Sequence, residues 1–340
     1  MSKAISAHTK VDLVNIGLIL ISFVLAVSLP IRVFLFSYII LGPLHYLTEI
    51  GWLNKRNFFA KQRQDVWLLV GITFLITLSF YFFVGFDIQD IDSPFLKSIY
   101  TINQSVSSRL IFVAFFTAIA IVFAKKKSTR YIVIAISVLC AMLMHFMDTS
   151  IILFGIFVPT IIHVSLFTAA FMLYGTLKSK SIWGYIAVVL FCLGWIACFF
   201  IYKNPAQISA TSSTMEILLE STFIHLGATL SESMGLRSEG SDYLLMSKLG
   251  IQFQTLFAFC YTYHYLNWFS KTKIINWHEV SRGWLVATGV IWILALVIYA
   301  IDYKIGFMAL FFLSMLHVVL EFPLNNLSFY GIYDEIKSRL

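Results

Sequence analysis

Apolar residues in this chain follow neither the helical nor the strand period. They come in blocks of about twenty, each ended by a short cluster of charge or turn residues. A helix rises about 1.5 Å per residue, so such a block matches the roughly 30 Å hydrocarbon core of a bilayer. The blocks fall at 11–29, 31–53, 65–83, 107–124, 131–148, 151–174, 182–202, 244–269, 283–301 and 306–322. This pattern predicts an all-α fold: a polytopic transmembrane helical bundle of about ten spans, filling residues 1–340 as a single membrane domain.

Charge between the blocks orients them. Lys55, Arg56, Lys61 and Arg63 follow the second block, and Lys125, Lys126, Lys127 and Arg130 follow the fourth. Lys178 and Lys180 follow the sixth, Lys271, Lys273 and Arg282 the eighth, and Lys337 and Arg339 the last. The connection after the third block instead carries Asp87, Asp90 and Asp92. By the positive-inside rule the basic loops and both termini are cytoplasmic. Residues 204–242 break the pattern, being rich in Ser and Thr and holding Glu216, Glu220, His225, Glu232, Arg237 and Glu239. If this stretch crossed the membrane, the Lys271 loop would fall outside, so it reads as re-entrant or lying at the outer interface.

Composition agrees with the blocks. The 340 residues are 59% hydrophobic and 12% charged, against roughly 45–50% and about 25% in soluble domains. The net charge of +7 is spread over short loops, so it reads as an orientation signal and not as a nucleic-acid surface. Cys140, Cys192, Cys198 and Cys260 lie inside apolar blocks without a CxxC pair, the pattern of buried free thiols. The first block ends in Ala26-Val27-Ser28, which faintly resembles a signal-peptidase site. It is long for a signal sequence and another block follows at once, so a retained helix is expected.

Ionisable groups inside such blocks are costly and mark function. Histidine recurs in them, as His45 in GPLHYLTEI, His163 in PTIIHVSLF, His264 in FAFCYTYHYLNWF and His317 in SMLHVVLEF. The blocks holding these four all run from outside to inside, and all four histidines fall between the mid-plane and the inner third. His145 runs the other way and lies near the outer surface beside Asp148; His278 is in a loop and His8 in the N-terminal tail. A single membrane histidine commonly bonds a neighbouring helix. Four at one depth point to a shared metal site, since neutral imidazole is the commonest metal ligand and histidine with carboxylate suits a non-haem iron. Glu49 and Glu321 each follow a histidine by four residues, on the same helix face, as ligands or as groups orienting one. Tyr261, Tyr263, Tyr265 and Trp268 surround His264 in sequence and read first as packing, second as the wall of an apolar slot. Two other function classes use the same residues: a proton- or ion-coupled transporter with buried His and Glu, and a b-type haem electron carrier.

The four histidine segments resemble, in order, the motifs of the bacterial Brp/Blh family of membrane β-carotene 15,15'-dioxygenases. PLHYLTE at His45 is similar to P-H-G-x-x-D, IIHVS at His163 to I-I-H-F-G, TYHYLNWF at His264 to F-x-H-S-x-x-H-F, and LHVVLEF at His317 to P-H-x-x-x-x-D/E-F. The chain departs in having Tyr46 for Gly, Trp268 for the second His of the third motif, and Leu316 for Pro, with Glu321 one residue closer to its histidine. The resemblance implies a bacterial inner-membrane enzyme. In it, Fe(II) is held by His45, His163, His264 and His317, with Glu49 and Glu321 beside the metal, O2 as co-substrate, and a carotenoid or other apolar lipid as substrate. Glu220 or His225 from the polar insertion is the replacement expected for the histidine absent at Trp268.

Overall fold

The computed structural model describes residues 7–85, 93–144, 151–201, 208, 212–220, 223–233, 245–276 and 278–340. Among these the chain is helical, with no strand. In chain order the helices are α1 (Ala7–Ser28), α2 (Pro30–Lys55), α3 (Arg63–Gly85), α4 (Pro94–Phe123), α5 (Lys127–Leu143), α6 (151–179) and α7 (Ile182–Phe200). They continue with α8 (Ser212–Glu220), α9 (Phe223–Ser233), α10 (Lys248–Ser270), α11 (Thr272–Ile275), α12 (Arg282–Ile301) and α13 (Tyr303–Lys337). Six helices among the described residues are long and apolar enough to cross a membrane: α1, α2, residues 157–179 of α6, α7, α12 and α13.

Local chemistry sets several starts. Ser181, Ser247 and Ser281 each accept a bond from a backbone N–H three residues on, at 3.3, 3.0 and 3.2 Å, and so cap α7, α10 and α12. Pro30 and Pro94 occupy first-turn positions, where the missing N–H costs nothing. The outward faces are apolar. On α12 alone Val286, Val290, Ile293, Leu294 and Val297 are exposed, a stripe that belongs against lipid and marks an integral membrane protein.

The chain divides into two compact units. Unit 1 comprises residues 1–45, 164–304 and 331–340. Its centre is α10, buried on all sides from Gly250 to Tyr265 although it carries Gln252, Gln254, Thr255, Thr262 and His264 there. Helix α1 packs antiparallel to α10: Asn15 bonds Ser270 (3.0 Å) and the Phe23 ring meets Phe259 (5.6 Å). Helix α7 does the same through Phe191 with Tyr263 and Phe199 with Phe253. Helix α2 runs parallel to α10, from Phe34 beside Phe257 to His45 beside His264.

Unit 2 comprises residues 46–163 and 305–330. Helices α3, α4 and α5 pack in sequence order. Arg130 at the start of α5 donates to both oxygens of Asp65 at the start of α3, at 2.7 and 2.8 Å, so these two ends lie together. Helix α13 meets α4 through Phe322 on Phe115 (5.3 Å) and Tyr330 on Phe123 (5.5 Å). Both contacts advance eight residues, so α4 and α13 are parallel.

Two helices are much longer than their apolar blocks. Helix α4 begins at Pro94, not near Ser107, and α13 continues through Pro323 to Lys337 where the sequence pattern stops at Phe322. Both extensions are polar, so hydropathy alone ended the helices early. The polar stretch 204–242 contains α8 and α9; its remaining parts, and the expectations for Asp87, Asp90, Asp92, His145 and Asp148, lie outside the described residues.

Candidate metal centre

In unit 1, two of the four histidines meet. A π turn at Ser37–Leu41 precedes His45 on α2, and its extra residue rotates the remainder of the helix by about 100° from the register of a plain α-helix. The turn is held from outside: Ser37 shares a hydrogen bond with Thr262 (2.6 Å), and the Trp292 indole N–H donates to the Ile40 carbonyl (2.9 Å). Beyond it, His45 Nε2 lies 3.0 Å from His264 Nε2. The other nitrogen of His264, Nδ1, is 2.7 Å from the Thr168 hydroxyl on α6. All three side chains are buried. Two Nε2 atoms this close share either a proton or a cation. A hydroxyl fixing Nδ1 is the outer contact that orients a ligating imidazole.

Aromatic rings enclose this pair. Tyr265 and Trp268 lie 5.1 and 5.6 Å from the His45 ring, so Trp268, standing where the resembled motif has histidine, packs against a proposed ligand. Tyr263 is fully buried, and its hydroxyl donates to Asn15 Oδ1 at 3.1 Å. Tyr261 sits edge-on to Phe34 at 5.4 Å. These rings are packing.

In unit 2 the other two histidines meet. His163 on α6 and His317 on α13 have ring centroids 5.1 Å apart, and His163 Nδ1 is 3.1 Å from Glu321 Oε2. His317 and Glu321 stand one helical turn apart on α13, and the Tyr46 ring lies 5.7 Å from His317. Glu49 is buried on α2, one turn beyond His45. Every histidine and carboxylate chosen from the sequence for depth and spacing is thus buried, and imidazole and carboxylate are donor types that suit a metal ion. His225 is on α9 and Glu220 ends α8, with their side chains outside the described residues; His278 and His8 are exposed.

Sequence reasoning missed three groups. Thr168 gave no signal, because a threonine in an apolar block ordinarily bonds its own backbone. Asn325, Asn326 and Ser328 are buried on α13 beyond the predicted helix end. Asn325 was within reach, since it continues the four-residue spacing of His317 and Glu321. Arg109 was passed over, and it is buried halfway along α4. No family model, curated protein or solved structure matches the chain.

Proposed function

We propose that the protein is a membrane-embedded, histidine-ligated non-haem iron oxygenase acting on an apolar lipid or polyene, with oxidative cleavage of a carotenoid as the reaction its motifs resemble. His45, His163, His264 and His317 bind the metal, and Glu49 and Glu321 ligate it or orient a ligand. The observation that carries the reading is the unit 1 pair, in which His264 is fixed by Thr168 at one nitrogen while the other faces His45 Nε2. That arrangement favours a metal over a lone histidine's contact with a neighbouring helix. The 3.0 Å between the two Nε2 atoms leaves no room for a porphyrin between them, which argues against this pair as axial haem ligands.

A histidine-carboxylate iron supplies open positions at which O2 is activated. The chain's own residues do the rest. Thr168 holds the His264 ring in place, the rings of Tyr265 and Trp268 keep water from His45, and Glu321 lies against the His163 ring at Nδ1.

Elemental analysis of purified protein tests the metal. About one iron per chain is expected, lost in His45→Ala and His317→Ala and kept in His145→Ala. Folded protein without metal would instead favour the proton- or ion-coupled transporter. Expression in a carotene-accumulating bacterium tests the substrate: the cells should bleach and yield retinal. Persistent colour with iron bound would remove carotene while leaving the oxygenase.

A further inference from the structure

Two arginines are buried in unit 2, and they differ. Arg130 is 6% exposed and paired in a fork with Asp65. Arg109 is 5% exposed and no carboxylate among the described residues pairs with its guanidinium; the Nε lacks a hydrogen-bond partner in both arginines. A guanidinium buried to this degree without a carboxylate partner is among the costliest groups an apolar interior can hold. Its depth is fixed by the parallel packing of α4 on α13, in which Phe115 is level with Phe322 and Phe123 with Tyr330. Arg109 precedes Phe115 by six residues, so it stands level with Leu316, next to His317. That is about 9 Å along the helix from the Phe115 contact.

We propose that Arg109 is an anion-binding residue that receives the carboxylate of a long-chain acid, making the ligand of this unit an amphipathic lipid with one ionised end. Guanidinium is the side chain that grips a carboxylate with two parallel hydrogen bonds and stays charged at any physiological pH. One arginine balances one negative charge, which selects a monoanionic carboxylate over a dianionic phosphate monoester. A buried position at the start of the apolar part of α4, Arg109–Phe123, selects an anion that arrives on an apolar chain. Binding does not depend on the metal; that the bound acid is also the substrate rests on the oxygenase reading.

The test uses full-length protein in phosphatidylcholine nanodiscs with radiolabelled palmitate. Wild type should retain about one palmitate per chain, displaced by unlabelled palmitate but not by hexadecanol or inorganic phosphate. Arg109→Gln should weaken retention at least tenfold, Arg109→Lys should restore part of it, and exposed Arg282→Gln should leave it unchanged. Palmitate should raise the thermal midpoint of wild type, whereas Arg109→Met should be at least as stable as ligand-free wild type and insensitive to palmitate. Equal retention by wild type and Arg109→Gln would overturn the proposal. So would displacement by hexadecanol or phosphate, or unfolding of Arg109→Met with palmitate binding intact in Arg109→Gln. Iron measured on the same samples separates the two ideas: palmitate retained by metal-free protein would sink the oxygenase and leave this site standing.

Discussion

The Thr168 hydroxyl is the smallest feature on which the metal reading depends. It contacts His264 Nδ1 at 2.7 Å, and removing the outer partner of a ligating histidine typically costs about 10- to 100-fold in metal affinity. Thr168→Val keeps the shape and deletes the bond, so iron affinity should fall by about that factor while the protein stays folded. Unchanged affinity would show that His264 does not ligate. Lys271, the first residue beyond α10, is a second single-residue case. Burial pushes its pKa down to about 8 from 10.5, and Asp12 partly opposes the fall. The folded value is the lower one, so the unfolded chain carries more protons between the two. The penalty is therefore full below about pH 8 and stability rises with pH up to about 10.5. Acetic anhydride labelling followed by mass spectrometry should give Lys271 a midpoint near 8, moved lower by Asp12→Asn; a midpoint like that of exposed lysines would refute the shift. At this scale the burial of the four histidines and both glutamates was readable, because charge in an apolar block is conspicuous. Thr168 was not, because its role depends on a partner 96 residues away.

Single contacts hold pairs of helices in place. Asp65 and Arg130 fasten α3 to α5 at one end of unit 2 with a buried fork. Asp65→Ala leaves the guanidinium buried and unpaired, and should destabilise by about 3–5 kcal/mol. The double change Asp65→Leu with Arg130→Met should recover most of that loss in thermal unfolding, because it removes the stranded charge as well. In unit 1, α7 approaches α10 at Gly194, where an added Cβ would meet the Phe259 ring. Gly194→Val should therefore separate the helices and cost about 1–3 kcal/mol. Most helix positions could be read from the apolar blocks, α7 and α12 nearly to the residue. Hydropathy measures contact with lipid, so it ended α13 at Phe322, although the helix past Pro323 is held by protein contacts such as Tyr330 on Phe123; it also missed the exposed first turns of α4.

Orientation belongs to the whole chain. In unit 1 the antiparallel packing of α1 and α7 on α10 brings Lys10, Lys178, Lys180 and Lys271 to one end, and in unit 2 the Asp65–Arg130 pair gathers the basic segments 55–63 and 125–130. The alternation expected from loop charge thus recurs in helix packing inside each unit, where hydropathy played no part. The stretch 204–242 is where alternation can fail. Helix α8 has 9 residues and α9 has 11, lengths of roughly 14 and 17 Å, about half of the 30 Å needed to cross. Neither spans alone, so the chain should leave and re-enter on the same, outer side. In a variant lacking the four native cysteines, Asn204→Cys and Asp242→Cys should both react with a membrane-impermeant maleimide on intact cells, while Ser338→Cys should react only after lysis. Labelling of only one of the first two would mean that the stretch crosses. The Lys271 loop would then lie outside, and His264 would run in the opposite direction to His45. The parallel packing of α2 on α10 argues against that.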